Sequence, residues 1–482
     1  MKSIIALIIV FGFSIQALAQ NYSDALLLSE PGLYSDARAL GMGNSYTALS
    51  DDYSAVTYNP AGLGLVKKMG LSLGFNLNSF GNKSSFFSND INSSQSTFNF
   101  SQLGLVFPVP TVQGSLVFAV GYNRNKEFNG LTKFDGFNNG NTSMIRYLTG
   151  DYNAEVPITN NLGLAYEIRD SDNNYIRDTT KVLGLLNQSG DVKATGKLDS
   201  WSFATSVEVA KDLFVGATFD ILSGNYKRDR NYYEDDTRNV YTGDLVPNDP
   251  TTNNFQTFYF NDVIDWDLSG WDFKLGVLYN WKNYFKFGAD IKFPSHYTIK
   301  ENYYVSGYSD FVSSPSIELT PIVDKVEYSI KTPYEYSIGG SITEKMFTVS
   351  AGIKVIDYTQ MEFTDGFDEQ YRIEKNSEIE NLFRLTPTYN IGAEAQLPRL
   401  PLTVRIGGMY VKSPYADDPT DFDKKYITAG FGLMINDNTR IDLGYAFGWW
   451  KDIIDNYDSN VSRISEDINV NNLVLNLRTG ID

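Results

Sequence analysis

Fourteen stretches of this chain alternate apolar with small or polar residues at a period of two, and the connections between them alternate short with long. Met69 to Asn78 sets Leu71, Leu73, Phe75 and Leu77 on one face and Ser72, Gly74, Asn76 and Asn78 on the other, the pattern of a strand with one apolar side. The same reading gives strands at 69–78, 98–107, 114–124, 199–210, 213–227, 271–281, 284–299, 332–342, 346–358, 387–396, 402–412, 424–435, 439–449 and 468–478. Tight joins such as Lys211-Asp212, Lys282-Asn283 and Asn436-Asp437-Asn438 are each followed by a longer segment: 79–97, 125–198, 228–270, 300–331, 359–386, 413–423 and 450–467. An even number of antiparallel strands with short turns at one end and long loops at the other predicts an all-β fold, a 14-stranded transmembrane β-barrel. Closure also removes the free edges that so many strands would otherwise expose.

The N-terminus agrees with that destination. Lys2, the apolar run Ile4 to Ile15 and Ala17-Leu18-Ala19 form the charged, apolar and small-residue parts of a secretory signal peptide, so residues 1–19 are expected to be removed. No later apolar run reaches the length of a helical membrane span. The chain has no Cys, which excludes disulfides and thiolate metal sites. A formal charge of -18 argues against nucleic acid as a partner, because phosphate neutralisation needs clustered Lys and Arg. The 32 Tyr and 31 Phe suit aromatic girdles at both membrane interfaces. The expected location is the bacterial outer membrane, with membrane lipids as partners.

Between signal and barrel, Asp36 to Leu63 is small, polar and glycine-rich, too poor in large side chains to fold alone and therefore expected to pack inside something larger. Its one stiff corner is Asn59-Pro60-Ala61-Gly62: Pro60 fixes its own φ and biases Asn59 to extended backbone. Asn59 is expected to hydrogen-bond nearby backbone and pin the segment to a wall, and Asp51 and Asp52 to orient it by capping or by pairing with Arg38.

Three submotifs here, Arg38-Ala-Leu-Gly-Met-Gly, Ala48-Leu-Ser-Asp-Asp and Tyr58-Asn-Pro-Ala-Gly, resemble the N-terminal hatch of the FadL/TodX family of outer-membrane channels for hydrophobic compounds. The resemblance continues in Pro333-Tyr-Glu-Tyr-Ser-Ile-Gly-Gly, Tyr389-Asn-Ile-Gly-Ala-Glu and Phe431-Gly-Leu-Met-Ile-Asn. It implies residues 20–68 as a hatch plugging the lumen of a barrel formed by 69–482, and passive uptake of fatty-acid-like small molecules. It also implies hatch gating and a sideways exit near the third strand, where Gly121 is the candidate irregularity. The third and fourth outer loops would form a hydrophobic groove, for which Phe255, Phe258, Phe260, Tyr303, Tyr304 and Tyr308 are candidates; an interfacial aromatic girdle explains them equally well. Residues 125–198 and the non-aromatic end Arg478-Thr-Gly-Ile-Asp482 depart from the family pattern. FadL-like barrels also serve as subunits of multiprotein outer-membrane machines for secretion or protein insertion, with other outer-membrane proteins as partners, and that alternative stays open.

Catalytic motifs are weak. Gly70-Leu-Ser72-Leu-Gly74 matches a nucleophile elbow but lies within a strand, and the one His, His296, has no marked partner. Asp170-Ser-Asp172-Asn-Asn174 starts like a calcium loop, but Tyr175 and Lys181 replace the glycine and bidentate glutamate it needs. That excludes an EF-hand and leaves a looser, loop-stabilising calcium site open; no enzyme activity, cofactor or dedicated metal site is expected.

Overall fold

The structure, a computed structural model, describes residues 22–33, 36–149, 157–457 and 461–481; the expected signal peptide lies outside them. Fourteen antiparallel strands close into one barrel. They are β1 (Met69–Phe86), β2 (Asn89–Val109), β3 (Leu116–Glu127, resuming as Gly130–Phe137), β4 (Asn187–Ala210) and β5 (Leu213–Asp235). Then come β6 (Phe255–Trp281), β7 (Phe285–Lys292, resuming as His296–Phe311), β8 (Ile322–Lys331, resuming as Glu335–Glu344) and β9 (Phe347–Asp357, with the piece Glu362–Asp365). The circuit ends with β10 (Leu385–Gln396), β11 (Leu402–Val411), β12 (Lys424–Met434), β13 (Thr439–Asp455) and β14 (Arg463–Ile481). A ladder from Met69–Ile481 to Ser85–Ser465 joins β14 to β1 and closes the ring. The breaks in β7 and β8 fall at Pro294 and Pro333, which cannot donate to a ladder.

Several strands run well past the expected boundaries. Residues 79–97, expected as a loop, are the outer halves of β1 and β2, joined at Phe87-Ser88, both at positive φ. The segments 125–198, 228–270 and 300–331 likewise contain long parts of β3 to β8. The reason is visible along β6. From Trp281 to Trp271 the outward residues are Trp281, Tyr279, Val277, Leu275, Phe273 and Trp271, while Asp272, Lys274 and Gly276 face inward. Immediately beyond Trp271 the faces exchange: Ser269, Asp267 and Asp265 point outward, and Leu268, Trp266 and Ile264 are buried inside. Lipid surrounds the first section and water the second, so the same pleat carries its apolar side on opposite faces.

The inside follows the same division. In the outer half an apolar core that includes Phe128, Phe255, Trp266, Ile299, Tyr328 and Phe363 fills the ring. Helix α1 (Tyr22–Ser29) buries Ala25 and Leu28 in that core. Loop helices α4 (Met144–Thr149), α5 (Ile158–Asn161) and α6 (Glu369–Leu382) contribute Ile145, Leu162 beside α5, and Ile379. In the inner half, residues 36–66 fill the cross-section: α2 (Ala37–Gly41) against β11 to β14, and α3 (Ala55–Tyr58) with the 3-10 turn Pro60–Leu65 against β3 to β6. A barrel closed by some 14 ladders resists detergent until heated, so unboiled and boiled samples should migrate differently on a denaturing gel. Identical migration from a membrane extract would contradict closure.

Candidate functional site

The segment 36–66 is fastened to the wall by a line of buried charges. Asp36 caps α2 through Ala39 N (2.9 Å), and its carboxylate also pairs with Arg478 on β14. Arg478 reaches Asp52 as well (2.5 Å). Arg38 grips Asp51 (2.6 Å) and takes Glu394 on β10 with two nitrogens, each at 3.1 Å. Behind it, Arg405 on β11 joins Glu394 (2.6 Å) to Asp442 on β13 (2.9 Å), and its side chain is wholly buried. Tyr46 accepts from Arg38 and donates to Asp52, both at 3.1 Å. Such fork-shaped pairings fix orientation as well as charge.

At the other side the stiff corner is held by hydrogen bonds. Asn59, extended at φ -153, donates to Thr47 O (2.9 Å) and to Val277 O on β6 (3.0 Å), and accepts from Ala61 N (3.1 Å). Ser206 on β4 donates to Ala61 O (2.9 Å). Two wall glycines make this approach feasible: a Cβ at Gly276 would overlap the Asn59 side chain, and one at Gly216 the Pro60-Ala61 backbone. Gly62 packs equally close to Ser50.

Burial would raise the Asp51 carboxyl, yet Arg38 and Lys286 hold it below the usual range. Glu30 behaves alike: burial opposes charge, and Lys424 and Lys126 overcome it. Asp36 shifts the other way, raised by burial in spite of Arg478.

Above this floor lie three cavities of about 140, 50 and 280 Å³, all bordered by Glu30, Pro31 and Gly32. That strap is tied down by Lys126, which donates to Leu27 O and Glu30 O (2.8 Å each), and by Lys424, which pairs with Glu30 (2.7 Å). The first cavity is charged, lined by Lys274, Lys292 and Lys354 with Asp290 and Glu335. The third cavity is amphipathic, with Leu27, Phe80, Phe128, Tyr226 and Trp450 beside Arg124 and Glu127.

That last cavity backs onto an irregular part of the wall. The β2–β3 ladder runs from Val109–Leu116 to Gln102–Asn123 and, among the described residues, stops there. β3 shifts register between Arg124 and Lys126, and its outer piece Gly130–Phe137 pairs with β4. β2 meanwhile continues beside β1 as far as Asn89. A seam therefore opens between β2 and β3 above the floor, faced on the lipid side by Phe98 (70% exposed) and Phe100. Gly121, expected to mark the irregularity, does not: it is regularly paired with Gly104, and both leave room for the Tyr53 ring of the floor. The bulge lies at Asn125 instead.

The six aromatic candidates do not make one loop groove. All lie in strands, and the pleat separates them. Phe255, Phe258, Phe260 and Tyr303 are buried in the apolar core of the outer half, whereas Tyr304 and Tyr308 are on the outward face, the Tyr308 ring packed at a tilt against Tyr259 with centroids 5.0 Å apart. Arg478, Glu394, Arg405 and Asp442 escaped the sequence reading. Their signal is a charge at a position that is otherwise small and inward-facing, as in Val404-Arg405-Ile406 and Ile441-Asp442-Leu443.

Neither a family model nor a curated protein matches the sequence. Among solved structures, the fold is that of a Pseudomonas aeruginosa FadL homologue (12% identity, 94% of this chain and 100% of that one, TM-score 0.60). The P. putida toluene transporter TodX (14%, 92% and 97%, 0.55) and the Ralstonia pickettii toluene transporter TbuX (17%, 92% and 97%, 0.51) share it. The chain thus has the FadL- and TodX-type barrel fold over nearly its whole length.

Replacing Glu394 with Gln leaves Arg38 and Arg405 short of a charge partner, a loss of about 3–5 kcal/mol for a buried pair. Segment 36–66 should then be cut readily by protease while the barrel stays folded; unchanged protection would contradict the fastening. Acid should act similarly. Asp51 and Glu30 are depressed from ordinary values of 3.8 and 4.5, so their stabilisation is complete above about pH 5 and lost as pH falls through 4 and below, with Asp36 opposing. Asp51→Asn should flatten that acid-side loss of protection.

Proposed function

We propose that this protein is an outer-membrane channel through which hydrophobic small molecules diffuse passively, leaving sideways into the membrane. The observation that carries it is the amphipathic cavity placed directly behind a stretch of wall that lacks a backbone ladder. Its apolar walls, Leu27, Phe80, Phe128, Tyr226 and Trp450, favour an apolar occupant. Sideways exit is downhill for such a ligand, since it enters hydrocarbon instead of water. Two of the structures that share the fold are toluene transporters, which supports the same class of cargo.

Hatch gating takes a smaller part in this reading than the stiff Asn59-Pro60 corner suggested. The floor touches only the foot of the seam, where Asn123 donates to Tyr53 OH (3.0 Å), and the cavity reaches the seam above it. Asp51, Asp52, Asn59, Pro60, Ala61 and Gly62 are then the fastenings of a fixed floor that keeps polar solutes out.

Ser45 Oγ lies 2.9 Å from Ser350 Oγ on β9, and the chain has no Cys of its own, so Ser45→Cys with Ser350→Cys gives one defined cross-link between floor and wall. Expression in cells lacking their own channel should speed uptake of a radiolabelled long-chain fatty acid or toluene, and not of a small sugar. Oxidising the cysteine pair should leave that uptake intact. Loss of uptake on verified cross-linking would restore a moving hatch, and sugar uptake without hydrophobic uptake would overturn the channel reading. Copurification with other envelope proteins in fixed ratio, with no uptake, would favour the machine subunit.

A further inference from the structure

The seam divides two stiff halves. On one side β2 is laddered to β1 all the way to Asn89–Phe86; on the other, Arg124 of β3 is tied to Asp199 of β4 (2.9 Å), and the outer piece of β3 is laddered to β4. At its foot the seam is shut by the Gln102–Asn123 ladder pair. At its outer end Ser93 Oγ donates to Leu131 O (2.6 Å) and Asn89 to Asp135 O (3.0 Å). Residues 94–101 lie between, about 26 Å of strand at 3.3 Å per residue.

One carboxylate spans this interval. Glu127 accepts from Thr97 Oγ1 (2.8 Å) and Asn99 Nδ2 (2.5 Å) on β2, and from Asn129 Nδ2 (2.9 Å) on its own side, where Arg124 also stands at 3.9 Å. Asn129 donates to Thr97 Oγ1 as well (3.0 Å), so Glu127, Thr97 and Asn129 form a closed ring of three across the gap, with Asn99 bonded to Glu127 beside it. The Glu127 side chain is only 6% exposed, although it stands between a cavity and the lipid face. A buried carboxylate in that position needs its hydrogen-bond donors, and two of these three come from the opposite side of the seam.

We propose that Glu127 is the latch of the lateral exit: the seam is closed by its side-chain bonds to Thr97 and Asn99 in place of a ladder, and opens when they are released. A ladder opens cooperatively, residue after residue, whereas a side-chain latch is released by rotation of one group on the rotamer timescale. The cavity that holds the cargo borders this latch, so a ligand group that competes for Glu127 or for its donors acts on the exit directly. The proposal rests on the lateral-exit reading above, and its tests separate the two.

Spin labels at Phe98→Cys on β2 and Lys133→Cys on the outer piece of β3, both exposed and neither bonded to Glu127, measure the seam in nanodiscs without any transport. A narrow distance distribution is expected when Glu127 is present and a broad or longer one with Glu127→Ala added, while heat-shifted gel migration confirms an intact barrel. The same narrow distribution in both would overturn the latch whatever the protein carries. Glu127→Ala alone should raise uptake of the radiolabelled fatty acid several-fold. In a separate Thr97→Cys, Asn129→Cys double variant, whose reduced form lacks two of the latch donors, oxidation should lower uptake at least tenfold relative to the reduced form, with recovery on reduction. Uptake that ignores this cross-link, once verified, would also overturn the latch but leave the channel standing. No uptake by any form, with broadening in Glu127→Ala, would retain the latch and reject the cargo reading.

Discussion

The long strands of this barrel pass through two solvents, and the exchange between them governs the rest of the structure. Within the membrane the apolar side must face out to lipid, so the lumen is left to Asp272, Lys274, Glu335 and Arg405. Beyond it water is outside, and the apolar side turns inward to form the core around Trp266, Ile299 and Phe363. A polar lumen and an apolar dome are thus consequences of one pleat crossing one boundary. The cavities lie where the two regimes meet, between the dome and the floor, which is why the one beside the seam is amphipathic.

A polar lumen can hold a plug only by satisfying its charges. Residues 36–66 supply Asp36, Arg38, Asp51 and Asp52, and the wall answers with Arg478, Glu394 and Lys286. Buried pairs of this kind add specificity of placement more surely than net stability, and the missing side chains at Gly216 and Gly276 serve the same end by letting the floor meet the wall closely. The floor is therefore defined by registry. The seam is the opposite case: a length of wall where registry lapses and side chains substitute for it.

Legibility in the sequence follows the same physics. Alternation with outward apolar residues identified all fourteen strands, because lipid imposes a constant pattern on each. It failed above the interface, where Asp265, Asp267 and Ser269 of β6 face water and Ile264, Trp266 and Leu268 turn inward; a period-two pattern whose apolar phase reverses reads as a loop. The extended backbone at Asn59 was legible from local chemistry alone, since a following proline imposes it. Phe258 and Tyr304 were not, because assigning them needs the strand register that the reversed phase concealed. Glu127 is beyond any local reading: its partners Thr97 and Asn99 are some thirty residues away in the chain, and nothing about Lys126-Glu127-Phe128 distinguishes it from a solvated loop charge.

The account turns on where a hydrophobic molecule goes once inside. A structure determined with an iodinated alkyl chain or iodotoluene, and located by anomalous scattering, tests this directly. Peaks are expected in the cavity beside Phe128, Tyr226 and Trp450 and along the seam at Thr97 and Asn129, with none below the floor. Iodine in the inner vestibule between Leu65 and Met434, reached through a displaced 36–66 segment, would show that cargo passes the floor and would contradict a sideways exit above it.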